Sequence, residues 1–445
     1  MTFQLPASPA TPLLKALIGQ ALKAVDAEQA VRRALSKNGH VLSIGRRRYD
    51  LRKYDRIVAV GAGKATAPMA RAIEHVLGPR LQGGLVIVKY GHAVRTEKIL
   101  VREAGHPLPD QAGRRGADRI RAIAESLTSR DLLFVLLSGG ASSLLPAPAT
   151  GLTLADKHRV TQQLLRCGAT IREVNTVRKH LSAVKGGRLA EATKATIVTL
   201  ILSDVLGDDV SAIASGPTVP DPTTFQDAVK CLKRYGIGRS IPLRVRRYLD
   251  RGCRGLIPET PKPGARRFRT VQHYIVGNIE AAVVAATRSA RAAGLRTKVH
   301  SFGVTGEASC AGKAFGSMAR RIVESGDSVR RPCCIVAGGE TTVTVTGHGK
   351  GGRAQEFALA AARQIEGLKN VWIAAIGTDG TDGPTDVAGA VVTGETVARA
   401  RRLGVDLNRA LARHDTYPAL KRLNSHIVTG ATGTNVNDLY LLLIL

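Results

Sequence analysis

Short apolar runs alternate with stretches of helical periodicity along most of the chain. In the first half, each apolar run leads toward a polar turn or loop, a pattern that is typical of a buried strand. The predicted strands are Ile57–Val60, Leu85–Lys89, Leu132–Leu137 and Ala195–Leu202. Helical patterns lie between them, so the order of elements predicts a parallel sheet with helices on both faces.

The second half restarts this alternation and predicts a second α/β region. Its predicted strands are Val271–Val276, Thr297–Ser301, Cys334–Ala337, Val371–Ile376, His426–Thr429 and Leu439–Leu445. Alternating Thr and Val residues after Glu340 predict one further strand over 341–346. At the N-terminus, apolar residues at helical spacing predict a helix over Thr11–Ala34.

The length of the chain predicts more than one domain. It has 445 residues, which is long for a single hydrophobic core. Residues 219–269 mix Pro, Gly and basic residues with weak periodicity, and we place the boundary toward the end of this segment. The sequence therefore predicts an N-terminal domain over residues 1–262 and a C-terminal domain over residues 263–445.

The charge of the chain raises a nucleic-acid hypothesis. The formal net charge is +30, and residues 230–270 contain thirteen Lys or Arg against two acids. Such a field attracts polyanions and small anionic metabolites alike. The sequence contains no zinc-finger spacing, RNP-like aromatic motif or clear reading helix. Solvated basic faces are therefore the favoured interpretation of the charge, and the nucleic-acid alternative stays open.

Cysteine usage and the termini bear on the compartment. The six cysteines form no CxxC pair, which favours reduced thiols in the cytoplasm over a disulfide framework or a zinc site. No export signal is apparent at the N-terminus. The closing apolar run is too short to span a bilayer, so we expect no membrane partner.

Five polar glycine turns follow apolar strands in this chain. They are Gly61–Lys64, Ser138–Ser143, Ser203–Asp209, Gly338–Glu340 and Gly377–Asp386. In open α/β sheets ligands bind at the carboxyl ends of strands, so turns with this placement predict a shared cleft. Ser138, Gly139, Gly140, Ser142 and Ser143 suit a phosphate or carboxylate held by hydroxyl and backbone N–H donors, although Ser is also a common helix cap.

Two cations accompany these turns. Lys64 lies at a helix start, where a cation is unfavourable unless an anion binds there. Arg353 follows a glycine-dense loop, which suits a phosphoryl or carboxylate clamp. The turn around Gly61 and Gly63 is neither a P-loop nor a dinucleotide fingerprint, because Ala65 and Thr66 occupy positions that those motifs reserve for Ser/Thr and Gly.

Carboxylates are concentrated in the same turns of an otherwise basic chain. The acids are Asp204, Asp208, Asp209, Glu340, Asp379, Asp382 and Asp386. Hard oxygen ligands of this kind suit Mg²⁺ bridging phosphates, whereas Asp in turns also forms local hydrogen bonds to the backbone.

Long motifs resemble the class II glycerate 2-kinases with their MOFRL C-terminal domain. The matching stretches are GAGKATAPMA (61–70), EAGHPLPD (103–110), LLSGGASSLLPAP (136–148), NTVRKHLSAVKGGRLA (175–190), LSDVLGDDVSAIASGPTVPDPTTF (202–225), GGETTVTVTGHGKGGRAQE (338–356), GTDGTDGPTDVAGAVV (377–392) and TGATGTNVNDLYLLLI (429–444). This chain departs from the family pattern at two positions. Ala354 replaces the usual Asn, and Ala431 replaces the usual Pro.

The resemblance implies ATP-dependent phosphorylation of the C2 hydroxyl of D-glycerate with a divalent cation such as Mg²⁺. It implies a Rossmann-like N-terminal domain, a MOFRL-type α/β C-terminal domain and a cleft between them. We expect a monomer or a homodimer. The family's catalytic lysine and arginine match Lys64 and Arg353. We expect Asp204 or Asp379 to orient the attacking hydroxyl and Asp204, Asp208 and Glu340 to hold the metal.

Two rival interpretations remain at this stage. The family has also been labelled hydroxypyruvate reductase, which requires a nicotinamide site that the weak fingerprint at Gly61 does not favour. A nucleic-acid-binding protein that uses the basic segment 230–270 is the alternative outside enzymology.

Overall fold

A computed structural model describes residues 3–326 and 329–445. Its helices are α1 (Thr11–Ala24), α2 (Ala27–Ala34), α3 (Thr66–Leu77), α4 (Gln111–Glu125), α5 (Ala141–Leu144), α6 (Leu154–Arg166), α7 (Ile171–His180), α8 (Arg188–Glu191), α9 (Phe225–Arg234), α10 (Leu243–Cys253), α11 (Ile279–Ala292), α12 (Ala308–Ser325), α13 (Arg353–Gln364), α14 (Thr396–Arg402), α15 (Leu407–Ala412) and α16 (Thr416–Arg422).

The strands follow the same chain order. They are β1 (Leu35–Asn38), β2 (Val41–Ile44), β3 (Arg47–Asp50), β4 (Ile57–Ala62), β5 (Gly83–Lys89), β6 (Ile99–Ala104), β7 (Leu132–Leu137), β8 (Thr196–Leu202), β9 (Val271–Gly277), β10 (Arg296–Val304), β11 (Cys333–Gly339), β12 (Val371–Gly377), β13 (Gly389–Thr393), β14 (His426–Ile427) and β15 (Asp438–Ile444).

The chain divides into two compact units. The first unit is Ala27–Val276, and the second unit combines Gly277–Leu445 with the N-terminal residues through Asp26. This division differs from the predicted boundary between residues 262 and 263 in two respects. Strand β9 joins the sheet of the first unit, and α1 packs against α11 of the second unit.

The first unit contains a six-stranded sheet in the order β6-β5-β4-β7-β8-β9. The pairings β4–β5, β5–β6, β4–β7 and β7–β8 are parallel, as predicted from the alternation of elements. Numbered within this sheet, the order is 3-2-1-4-5-6, which is the Rossmann order. The order reverses between β4 and β7, so their carboxyl ends border the crevice where such sheets bind ligands.

The second unit contains a mixed six-stranded sheet in the order β10-β11-β15-β12-β13-β14. Only β10 and β11 pair in parallel among its described pairings. The closing strand β15 lies between β11 and β12, and all seven of its residues are buried. The predicted core strand at the end of the chain is therefore confirmed, and the α/β class holds for both units.

Two expectations from the pattern were wrong. Residues 341–346 form no strand, because their alternating side chains meet no free neighbouring strand; Thr342 makes a single bridge to Glu307. The predicted helix Thr11–Ala34 is two helices. The chain leaves helical geometry at Val25. It passes from the second unit into the first directly afterwards, between Asp26 and Ala27.

Three other features complete the description. The small antiparallel sheet β1–β3 had no clear signal in the sequence, because its strands have only four residues each and two of them, β1 and β3, are rich in polar side chains. The six cysteines are free thiols. Among the described residues, no helix combines the length and the apolar character that a membrane crossing requires.

Candidate active site

The turn that carries Lys64 is bound to the turn that follows β7. The Lys64 backbone N–H donates to the Gly139 carbonyl at 2.8 Å, and the Ala65 N–H donates to Ser138 Oγ at 3.0 Å. Gly63 has φ +145°, and a Cβ there would lie 2.1 Å from Ser138 Oγ. Glycine is therefore required at this position by both conformation and space.

These contacts show that two residues of the predicted cleft also have a structural task. Ser138 is buried and caps the start of α3, so its hydroxyl already serves the fold. Gly61 lies inside β4, where a Cβ would approach the Leu136 carbonyl oxygen to 2.2 Å. Close packing of the neighbouring strand accounts for glycine at Gly61.

A histidine that was not predicted to belong to the site lies beside this turn. Gly140 has φ +84°, and a Cβ built on it would lie 2.9 Å from the His106 ring and 3.4 Å from Lys64 Cγ. Segments that follow β4, β6 and β7 thus converge on the Lys64 side chain. The motif that contains His106 was visible in the sequence, but its placement required knowledge of the strand order.

The hydroxyl groups after β7 extend this arrangement. Ser142 Oγ lies 3.2 Å from Ser215 Oγ, and the Ser215 hydroxyl donates to Asn175 Oδ1 at 3.0 Å. Ser215 and Asn175 are buried. Ser143 lies in the same short helix and is partly exposed. A polar chain therefore runs from the Lys64 turn to α7.

Arg353 in the second unit is held by two carboxylates. Its Nη1 donates to Glu340 Oε1 at 2.6 Å, while Nε and Nη2 lie 2.7 and 3.0 Å from the two oxygens of Asp438. A guanidinium has five N–H donors, so two N–H groups remain for a substrate after these three contacts. The Arg353 side chain is 30% exposed, so a molecule in solvent can reach it.

Asp438, the buried partner of Arg353, is the clearest candidate site residue that the sequence analysis missed. It is buried at the start of β15, and the Tyr440 hydroxyl lies 3.3 Å from its second oxygen. Burial raises the pKa of Asp438 to about 7 despite the opposing charge of Arg353. The signal lay in the closing motif, where an acid precedes an otherwise apolar strand.

The glycine-dense loop before Arg353 packs closely against its own unit. A Cβ on Gly349 would lie 2.4 Å from the Arg413 carbonyl oxygen, and one on Gly352 would lie 2.3 Å from Asp382 Cγ. Lys350 lies over the Tyr417 ring at 4.5 Å. Close packing accounts for these glycines, and the loop presents Arg353 at the start of α13.

Two of the three acids in the turn after β12 have different roles. Asp382 accepts the backbone N–H groups of Ala354 and Gln355 at 3.0 and 2.8 Å, so it caps α13. Asp379 accepts the Thr381 N–H at 3.1 Å, which is the local turn bond common for Asp. The cap on α13 places Arg353, whereas Asp379 forms a hydrogen bond within its own turn.

The carboxylates expected to bind metal fall in both units. Asp204 and Asp208 follow β8 in the first unit, and Asp208 has a left-handed backbone with φ +55°. Glu340 belongs to the second unit and engages Arg353. Within residues 3–326 and 329–445, no group of three His, Cys, Asp or Glu side chains could hold a metal ion.

Comparisons with known proteins cover nearly the whole chain. Residues 13–250 match the DUF4147 domain of unknown function, and residues 333–438 match the MOFRL family. The chain is 41% identical over 429 residues to a glycerate 2-kinase of Pyrococcus horikoshii, with 96% of each protein covered. It is 44% identical to a putative hydroxypyruvate reductase of Agrobacterium vitis, with 87% of each covered.

A solved structure agrees with the fold. The crystal structure of a glycerate kinase (EC 2.7.1.31) from Thermotoga maritima superposes with a TM-score of 0.86 at 38% identity. The match covers 98% of this chain and 99% of that chain. The similarity therefore includes both compact units.

Proposed function

Because the chain belongs to the glycerate 2-kinase family, we propose that it transfers the γ-phosphoryl group of ATP to the C2 hydroxyl of D-glycerate. The observation that carries this proposal is the 41% identity to a glycerate 2-kinase over 96% of the chain. The products are 2-phosphoglycerate and ADP. The free thiols and the soluble nature of this substrate suit a cytoplasmic enzyme.

Lys64 is the proposed phosphoryl-binding residue of the first unit. It lies at the point where the strand order of the sheet reverses, and its turn is fixed by Ser138 and Gly139. Phosphoryl transfer depends chiefly on positioning and charge neutralisation. A lysine held in a rigid turn supplies both without moving during the reaction.

Arg353 is the proposed second cation. The carboxylates of Glu340 and Asp438 orient its guanidinium plane, and two of its N–H groups remain for phosphoryl oxygens. Glu340 and Asp438 therefore act through Arg353 as positioning residues. Asp204 and Asp379 remain the proposed acids for orienting the attacking hydroxyl.

The proposal includes a divalent cation. Mg²⁺ is commonly bound by one or two carboxylates together with substrate phosphates, so the lack of a three-residue group in the described chain fits that mode. Asp204 and Asp208 would hold it together with substrate phosphates, whereas Glu340, the other acid predicted for this role, engages Arg353 in the structure. When bound, the cation neutralises charge on the phosphate oxygens.

The identity of the product tests this function. Purified protein is incubated with ATP and D-glycerate, and enolase is then added without phosphoglycerate mutase. Formation of phosphoenolpyruvate is expected, because enolase acts on 2-phosphoglycerate and not on the 3-isomer. A product that enolase converts only after mutase is added would refute transfer to C2.

A reductase is the second candidate, since one similar protein is named a putative hydroxypyruvate reductase. A Rossmann strand order is also compatible with a dinucleotide. Oxidation of NADH or NADPH by hydroxypyruvate in the absence of ATP would support this candidate. We expect no such oxidation, because Thr66 replaces the third glycine of the fingerprint and Lys89 ends the next strand.

A further inference from the structure

Three cations are clustered in the interior of the first unit. Lys157 on α6 and Lys185 after α7 are buried, and Arg178 on α7 is partly buried. Lys157 Nζ donates to the Ala147 carbonyl at 3.2 Å, and Lys185 Nζ donates to the Ala214 carbonyl at 3.1 Å. Uncompensated charges of this kind are costly in a protein interior.

The three side chains share one site. Ser182 Oγ donates to the same Ala147 carbonyl that accepts from Lys157, and it also accepts the Lys185 backbone N–H at 3.3 Å. Arg178 lies in the last turn of α7, close enough to both lysines for its charge to repel theirs. Mutual repulsion within this cluster adds to burial in lowering the pKa of Lys157 to about 7 and the pKa of Lys185 well below its usual range.

No acid neutralises this cluster. Among the described residues, none of the three cations forms an ion pair with a carboxylate. The neighbouring Lys179 differs, because its Nζ lies 3.4 Å from the buried carboxylate of Asp221. Each lysine ammonium has three donors and makes one hydrogen bond in the described structure, so donor capacity remains for an anion.

The cluster adjoins the Lys64 turn through strained backbone. Ala214 and Ser215 are both left-handed, with φ +55° and +59°, which is costly for residues with a Cβ. Ala214 supplies the carbonyl that binds Lys185, and Ser215 Oγ contacts Ser142 of the turn after β7. The cation cluster is therefore joined to the turn after β7 through Ala214 and Ser215.

We infer that Lys157, Arg178 and Lys185 form the receptor for the carboxylate of the acceptor substrate, with the Ser142 and Ser215 hydroxyls beside it. This inference rests on the proposed function. In D-glycerate the carboxylate is bonded directly to the carbon that bears the reacting hydroxyl. A carboxylate receptor must therefore lie next to the phosphoryl site, as this cluster does.

The test measures binding of D-glycerate alone to the full chain by calorimetry, for wild type and Lys185→Met. Loss of a charged hydrogen bond is expected to weaken binding by about 10- to 100-fold. Affinity for ADP should change by less than about twofold, since the inference assigns these residues to the carboxylate of the acceptor and not to the nucleotide. Arg178→Met is the second variant, because this partly exposed residue is replaced with little risk to the fold.

Thermal unfolding separates binding from folding. Lys185→Met should unfold at the same or a higher temperature than wild type, because it removes an unpaired buried amine. Lys179→Met should unfold at a lower temperature, because it leaves Asp221 without its partner. Glyceramide, which lacks the carboxylate, should bind wild type and Lys185→Met equally.

Several results would overturn the inference. They are unchanged D-glycerate affinity in both receptor variants, weakened ADP affinity with D-glycerate affinity intact, and a loss of D-glycerate binding that occurs only with a lower unfolding temperature. Failure of the proposed function is distinguishable, because it would appear as a wild-type protein that makes no 2-phosphoglycerate.

Discussion

At the scale of single residues, the lysines and arginines of this fold differ in how their charge is compensated. Lys179 and Arg353 each have a buried carboxylate partner, whereas Lys157 and Lys185 have only carbonyl oxygens as described acceptors. The sequence analysis singled out Arg353 among these residues but not the three lysines. Burial and partners, which depend on the fold, decided their roles.

The Asp438 carboxyl should give the fold a specific pH dependence. Its pKa is about 7 in the folded protein and near 3.8 when unfolded, so folding favours the protonated form. This contribution to stability is complete at low pH and is lost as pH rises through 7. Between pH 5 and pH 8 the wild type should lose about 2–3 kcal/mol that Asp438→Asn does not lose.

Urea unfolding at the two pH values measures this difference. Asp118→Asn is the control, since that carboxylate is 58% exposed and should leave the wild-type pH dependence unchanged. An Asp438→Asn protein with the same pH dependence as wild type would show that this carboxyl does not titrate in the stated range.

At the scale of elements, the sheet order brings distant turns together. Turns after β4 and β7 are far apart in sequence but adjacent in space, because these strands are neighbours where the order reverses. Periodicity predicted β7 to the residue and most other strands to within one or two residues. Periodicity predicted neither β13 nor the antiparallel pairing of β15, because the partner of a strand leaves no local signal in the sequence.

Ser138→Ala should weaken the junction between β4 and α3. The substitution removes the oxygen that accepts the buried Ala65 N–H at 3.0 Å. We expect a loss of about 1–2 kcal/mol in the free energy of unfolding, measured by urea denaturation. Ser36→Ala, at an exposed position of β1, is the control and should be neutral. Equal stability of both variants would mean that water replaces Ser138 as the cap.

At the scale of the whole molecule, the cations behind the net charge of +30 fall into two groups. Some make contacts within the fold, and the others are exposed. Part of the basic segment 230–270 serves the fold: Arg267 donates to the Ala190 and Ala195 carbonyls, and Arg234 pairs with Glu173. The helices α9 and α10 also bury an apolar face in the first unit. The remaining exposed cations produce a general attraction for anions.

Binding of nucleic acid should therefore be weak and unspecific. A fluorescent DNA duplex should lose roughly 10³-fold or more in affinity between about 50 and 200 mM salt, as expected for phosphate contacts alone. Two duplexes of unrelated sequence should bind equally in fluorescence anisotropy. Tight binding that prefers one sequence and persists at the higher salt would favour the nucleic-acid alternative.

The most direct measurement of the central claim compares wild type with Lys64→Ala in the enolase-coupled assay at saturating ATP and D-glycerate. The account predicts 2-phosphoglycerate from wild type and a rate lower by about 10²- to 10³-fold for Lys64→Ala, with unchanged unfolding. Lys233→Ala, on the exposed side of α9, should retain the wild-type rate. A Lys64→Ala protein that turns over as fast as wild type would contradict the account.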